Sequence, residues 1–235
     1  MHLPILFPSD PGCTSCDLHL SAKNPGVPSR LFSSPPSPTP STPVLIFIGM
    51  NPGLNEDTQN TCFIGKSGEV LASCYLPHLT PLAHIYLTNA ARCVTPKSKP
   101  SARHYNTCIP LHLLPDLHSI FLAHPTSPIH IVTLGLDILK PLSKHVHPSP
   151  DFGSLSKALR KNGQPFSILG RTFTFWATYH PAFLLRNQNM IHPVLNHLTP
   201  LVRTLSGHLP TQTPLTLVPP FPPSSSPSSS PSPAP

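Results

Sequence analysis

Four short apolar runs cross the middle of the chain, at 44–48, 85–88, 129–134 and 173–178, each rich in β-branched or aromatic residues. Helix-like periodicity fills the intervals at 66–75, at 102–122 with prolines interrupting it, at 136–144, and again at 193–205 after the last run. Strands alternating with helices predict an α/β domain built on a mainly parallel, four-stranded sheet. The runs are apolar almost without a break, so both sheet faces should be covered, giving a three-layer α/β/α sandwich. Residues 166–169 are a candidate hairpin partner for the last strand, turning at Gly170-Arg171.

The 36 prolines among 235 residues sharpen the boundaries. They crowd into 28–43 and 210–235, where Ser and Thr fill the gaps and little can be buried to offset the entropy of ordering the chain. One domain is expected: an N-terminal segment over 1–25, a Pro/Ser-rich loop over 26–43, the α/β domain over 44–208, and a disordered tail over 209–235.

Charge adds a direction. Fifteen Lys and Arg against eight Asp and Glu leave a formal +7, a balance that favours a polyanionic partner without naming one. Arg92, Lys97, Lys99 and Arg103 gather just after the second strand, while Glu56 and Asp57 share one loop. The first residues lack the basic and apolar blocks of an export signal, and no run reaches membrane-spanning length. An intracellular protein is expected, cytoplasmic, nucleoid-associated or nuclear rather than secreted, and a monomer. Six cysteines in that setting point to metal ligation sooner than to disulfides.

Ligands of open parallel sheets bind beyond the carboxyl ends of the strands. Here the first strand runs into GMNPGLNED (49–57), the second into TNAARC (88–93) and the fourth into YHPAFLLR (179–186). All three are placed to converge on one pocket.

These segments carry a resemblance. The stretch IGMNPGLNEDTQNTCFIGKSGEVL resembles the first motif of iron-sulfur, family-4-like uracil-DNA glycosylases, a G-E-x-P-G-x-x-E-D loop followed by P-F-V-G-x-x-G. LTNAARC is similar to their T-N-x-x-K-C, VTLGLDILKPL to their V-x-L-G strand and helix, and ATYHPAFLLR to their T-x-H-P-x-x-x-L-R. The order and approximate spacing hold from Cys13 to about Leu205. Cys13 and Cys16, with Cys93 and Cys108, resemble the family's four cluster ligands, which would make 1–25 a cluster-binding segment. By ligand chemistry alone four thiolates suit structural zinc as well as a [4Fe-4S] cluster; the resemblance implies the cluster, with zinc as the alternative. Cys62 and Cys74 are then buried small residues.

The resemblance implies an enzyme that hydrolyses the N-glycosidic bond of uracil in DNA, with the base flipped into a pocket. Phe63 would stack under the base. Asn89 would read its Watson–Crick edge, the carboxamide donating to O4 and accepting from N3–H. His180 would meet charge developing at O2. The loop Gly49, Met50, Asn51, Pro52, Gly53 would bring backbone N–H groups close to base and water. The family commonly has Glu where this chain has Met50, so Asn51 is the candidate water-orienting residue, with Glu56 and Asp57 as alternatives or as electrostatic support for a cationic sugar. Leu184 and Leu185 would enter the vacated stack, and Arg186 with Arg92, Lys97, Lys99 and Arg103 would meet phosphates. Two other readings stay open: a catalytically inactive glycosylase-like DNA-binding module, and a zinc-stabilised accessory domain of a repair or replication assembly.

Overall fold

The computed structural model describes Phe7, Asp10 and residues 12–95 and 99–207; the expected tail at 209–235 and Lys97 lie outside the described residues. The sheet has six strands, β1 (Arg30–Ser33), β2 (Val44–Gly49), β3 (His84–Asn89), β4 (Ile129–Leu134), β5 (Pro165–Ile168) and β6 (Arg171–Thr178), in the order β1-β3-β2-β4-β6-β5. The inner four are parallel and match the four apolar runs. Both edge strands are antiparallel. β5 is the hairpin partner expected at Gly170-Arg171, while β1 arises inside the stretch expected to be only a loop. Flanking prolines are tolerated there because an edge strand needs partners on one side only.

Strand alternation sorts the core into two layers. Val44, Ile46 and Ile48 face helices α3 (Ala102–Cys108), α4 (Leu114–Ala123), α5 (Leu139–Ser143) and α6 (Leu155–Leu159). Leu45 and Phe47 face the opposite layer, formed by α2 (Lys66–Val70), α7 (Pro181–Arg186) and α8 (Ile191–Ser206). The three-layer α/β/α sandwich is therefore observed. α2 runs directly into a π-helical turn, Leu71–Tyr75, and α3 reaches α4 through another, Ile109–Leu113, where Pro110 and Pro115 interrupt regular bonding.

Three short helices, α1 (Leu54–Gln59), α6 and α7, lie outside the stretches expected to be helical; Asn60 ends α1 in the left-handed conformation, which its short polar side chain tolerates. β2 has β3 on one side and β4 on the other, so the chain reverses direction across the sheet at the carboxyl end of β2. That reversal opens the crevice in which α/β sheets bind ligands.

Candidate active site

A cleft of about 490 Å³ opens at this point, and its walls include Met50, Asn51, Phe63, Asn89 and His180. Four separate chain segments supply these residues. Their convergence depends on Gly49: a β-carbon there would lie 2.5 Å from the Asn89 Oδ1 and 2.5 Å from the Phe63 Cζ. Phe63 adopts φ +55°, a costly conformation for an aromatic residue. Arg30 of β1 offsets that cost by donating to the carbonyls of Cys62 (2.8 Å) and Phe63 (3.1 Å). Gly68 also lets the Phe63 carbonyl pack where a side chain would clash.

Asn89 closes β3 in register with Gly49 and is buried, yet its carboxamide has no hydrogen-bond partner among the described residues. A donor and an acceptor thus face the cleft together. Asn51 is held differently: its Nδ2 donates to the Pro52 carbonyl (2.9 Å) and the Thr95 hydroxyl (3.0 Å). Both amide protons are engaged, so the oxygen is left to accept.

His180 caps α7, its Nδ1 accepting from the Ala182 N–H at 3.1 Å. That bond fixes the neutral tautomer, with the proton on Nε2. Burial, with a smaller contribution from Arg186, pushes the imidazole down to about 4, although Asp137 and Glu56 oppose the shift. At neutral pH His180 is an uncharged donor. Gly135, at φ +86°, leaves room for it, since a β-carbon would stand 3.2 Å from the His180 Cβ. The Tyr75 hydroxyl donates to the preceding Tyr179 carbonyl at 3.0 Å.

The acidic pair divides. Glu56 lines the cleft, one oxygen accepting from the Gly65 N–H at 3.0 Å, and the bare Gly53 and Gly65 make room for it. Asp57 is instead buried against the N-terminal segment, accepting from the backbone N–H groups of Lys23 (2.8 Å) and Asn24 (3.0 Å). Neighbours on a helix point about 100° apart, so only one can face the cleft. The alternative role suggested for Asp57 is corrected to anchoring.

The same rule splits the α7 leucines. Leu184 is 4% exposed and belongs to the core, whereas Leu185 is 41% exposed; a wedge role for Leu184 is ruled out by its burial. Arg92 is also corrected. It is 2% exposed, ion-paired with Asp116, and donates to the Ser29 hydroxyl at 3.1 Å, so it holds loops together and has no route to a phosphate. Lys99, Arg103 and Arg186 are exposed, with Lys99 paired to Asp137 at 2.8 Å.

Lys66, Ser67, Val94 and Thr95 complete the cleft and were not anticipated. The G-x-x-G spacing Gly65–Gly68 was a signal for the first two. Thr95 has no local signature.

Cys13, Cys16, Cys93 and Cys108 line one small pocket together, and none of the six cysteines is in a disulfide. The N-terminal segment reaches it through the Asp57 anchor and the His104–Asp17 contact at 3.0 Å. Burial pushes the Cys93 thiol up to about 11 and that of Cys108 up to about 12. Among the described residues, the one trio of metal-type donors within 4.8 Å of each other is Asp10, Cys13 and His112. Cys62 and Cys74 are buried elsewhere, Cys62 donating to the Leu87 carbonyl at 3.3 Å.

Residues 36–204 match the family model of the uracil DNA glycosylase superfamily, and the chain, with its polar cleft at the strand ends and a cysteine pocket beside it, belongs to that superfamily. Among individual relatives it is 25% identical over 177 residues to the type-4 uracil-DNA glycosylase of Thermotoga maritima, covering 75% of this chain and 80% of that one. It is 27% identical over 148 residues to the type-4 uracil-DNA glycosylase of Sulfurisphaera tokodaii, and 29% over 146 residues to that of Saccharolobus solfataricus. The match spans less than two thirds of these two relatives, 63% and 62% of their lengths. Among the described residues no helix is long and apolar enough to cross a membrane.

Proposed function

We propose that the chain is a hydrolytic uracil-DNA glycosylase acting in base excision repair. The observation that carries this reading is the meeting of Phe63, Asn89, His180 and Asn51 in one cleft. The uracil ring lies on Phe63, a contact worth roughly 1–3 kcal/mol. Asn89 donates to O4 and accepts from N3–H. Cytosine presents an amino group and an unprotonated N3 at the same places, leaving both ends of the carboxamide opposed, and such mismatches discriminate strongly.

As the N1–C1′ bond breaks, its electron pair leaves on the base. The Nε2–H of His180 stabilises the charge growing at O2, and because the imidazole is already neutral it does so without surrendering a full proton. Asn51, tied by its Nδ2, accepts from the attacking water, whose oxygen bonds to C1′; a proton from that water ends on the released uracil, and an abasic sugar remains. Glu56 is the carboxylate in the cleft walls and opposes the positive charge on the sugar. Leu185, Lys99, Arg103 and Arg186 remain candidates for contact with the DNA around the flipped nucleotide.

Cys13, Cys16, Cys93 and Cys108 would hold a [4Fe-4S] cluster that ties the N-terminal segment to the β3 loop and α3. The likeness to type-4 relatives and the gathering of the four cysteines around one pocket support this reading. Metal and sulfide analysis of anaerobically purified protein tests the cluster. For the activity, the protein is incubated with single- and double-stranded oligonucleotides carrying one dU, followed by alkali. Strand breaks at that position are expected; none on either substrate would leave the inactive DNA-binding module as the better description.

A further inference from the structure

A second cavity, of about 220 Å³, lies between α3 and α5 and takes no part in the chemistry above. α3 presents Ala102, Tyr105 and Asn106 to it, and the segment through α5 presents Lys140, Pro141 and Lys144. Both sets follow helical spacing, with i and i+4 on one face. Lys140 and Lys144 are exposed, and the Lys144 Nζ donates to the Asn106 Oδ1 at 2.9 Å, which leaves the Asn106 Nδ2 free to donate elsewhere. Asp137 adds one carboxylate, but Lys99 already pairs with it. The balance of the groove is cationic.

Tyr105 provides a second, independent observation. It is 4% exposed, and its hydroxyl is buried without a hydrogen-bond partner, an unfavourable state that an arriving acceptor would relieve. Burial raises the phenol above its ordinary range, so it stays a neutral donor.

The groove also adjoins the catalytic cleft. Asp137 lies two residues beyond Gly135, which packs on His180, and its charge is felt at that imidazole. An acceptor-rich anion next to a flipped nucleotide is a backbone phosphate. We infer that the α3–α5 groove is a phosphodiester-binding subsite, in which Lys140 and Lys144 grip the DNA backbone flanking the extruded nucleotide. It rests on the reading of the chain as a DNA enzyme and extends the contact surface past Lys99 and Arg103. Because α3 also carries Cys108, the cysteine pocket braces one wall of the groove.

Duplex DNA containing a non-cleavable abasic-site analogue serves as the probe, with binding followed by fluorescence anisotropy over a KCl series. Removing both charges in K140A/K144A is expected to lower the slope of log K against log salt by about one to two, while K140R/K144R keeps the wild-type slope. Single-turnover excision at saturating enzyme stays within about twofold of wild type, since neither lysine touches the base. Y105F is expected to weaken binding at every salt concentration without altering the slope. An unchanged slope in K140A/K144A, with wild-type thermal unfolding, overturns the subsite. If wild-type protein excises no uracil yet K140A/K144A still loses slope, the glycosylase reading fails while the groove stands.

Discussion

Phe63 and Asn89 meet over the bare α-carbon of Gly49, each with an atom 2.5 Å from where a β-carbon would stand. Stacking surface and edge reader are therefore set by one backbone position. Gly49→Ala must push both outward by an appreciable fraction of an ångström. Misplacement on that scale costs about 10²-fold in rate. Single-turnover excision of dU should fall by about that factor while thermal unfolding shifts by only a few degrees.

His180 makes a prediction in pH. The unfolded chain takes a proton on this group near its ordinary value, about 6.5, whereas the folded protein does so at about 4. Between those values the unfolded state binds more protons, so stability rises with pH across the window and is lost as pH falls through it. Excision should show no imidazole step near pH 6.5 and decline only as pH nears 4. His180→Ala should lower the single-turnover rate about 10²–10³-fold and remove that contribution to the stability profile, measured by denaturant unfolding from pH 4 to 7.

Asn51 is oriented by Thr95 through a 3.0 Å bond. If the free oxygen of Asn51 positions water, loosening the carboxamide should act on the chemical step rather than on binding. Thr95→Val is expected to lower the single-turnover rate about tenfold, the equivalent of one hydrogen bond, with affinity for the abasic analogue unchanged. Asn51→Ala should cost more; wild-type rates in that variant would pass the water-orienting role to Glu56.

The Arg92–Asp116 pair is buried. Removing one partner leaves a charge uncompensated in the interior, a loss of about 3–5 kcal/mol. Asp116→Ala should therefore lower the unfolding temperature markedly. The salt dependence of DNA binding should stay at the wild-type slope, because Arg92 reaches no phosphate. A reduced slope in a folded Arg92→Leu variant would contradict its placement.

Much of the fold was legible because three of the inner strands, β2, β3 and β4, are buried at every position and their runs are mostly apolar. β1 escaped notice because an edge strand of four residues between prolines has no such run. Its Arg30 holds the Phe63 loop, so a residue that positions the site stood in a stretch with the composition of a linker. α1 escaped as well, since LNEDTQ is polar and short. Glu56 and Asp57 then looked equivalent, and so did Leu184 and Leu185, because sequence adjacency hides the turn of about 100° that separates neighbours on a helix.

By itself the sequence determined which residue types stand at the strand ends, their order, and the four cysteines that bracket them, because hydrophobic periodicity and motif spacing are local properties of the chain. Tertiary structure decided which of those residues share a space. It buried Arg92 and Asp57, freed the Asn51 oxygen by spending its amide on Thr95, and fixed the proton of His180 on Nε2. Each outcome depends on a partner distant in sequence or on the rotation of a helix, and both exist only once the chain has packed.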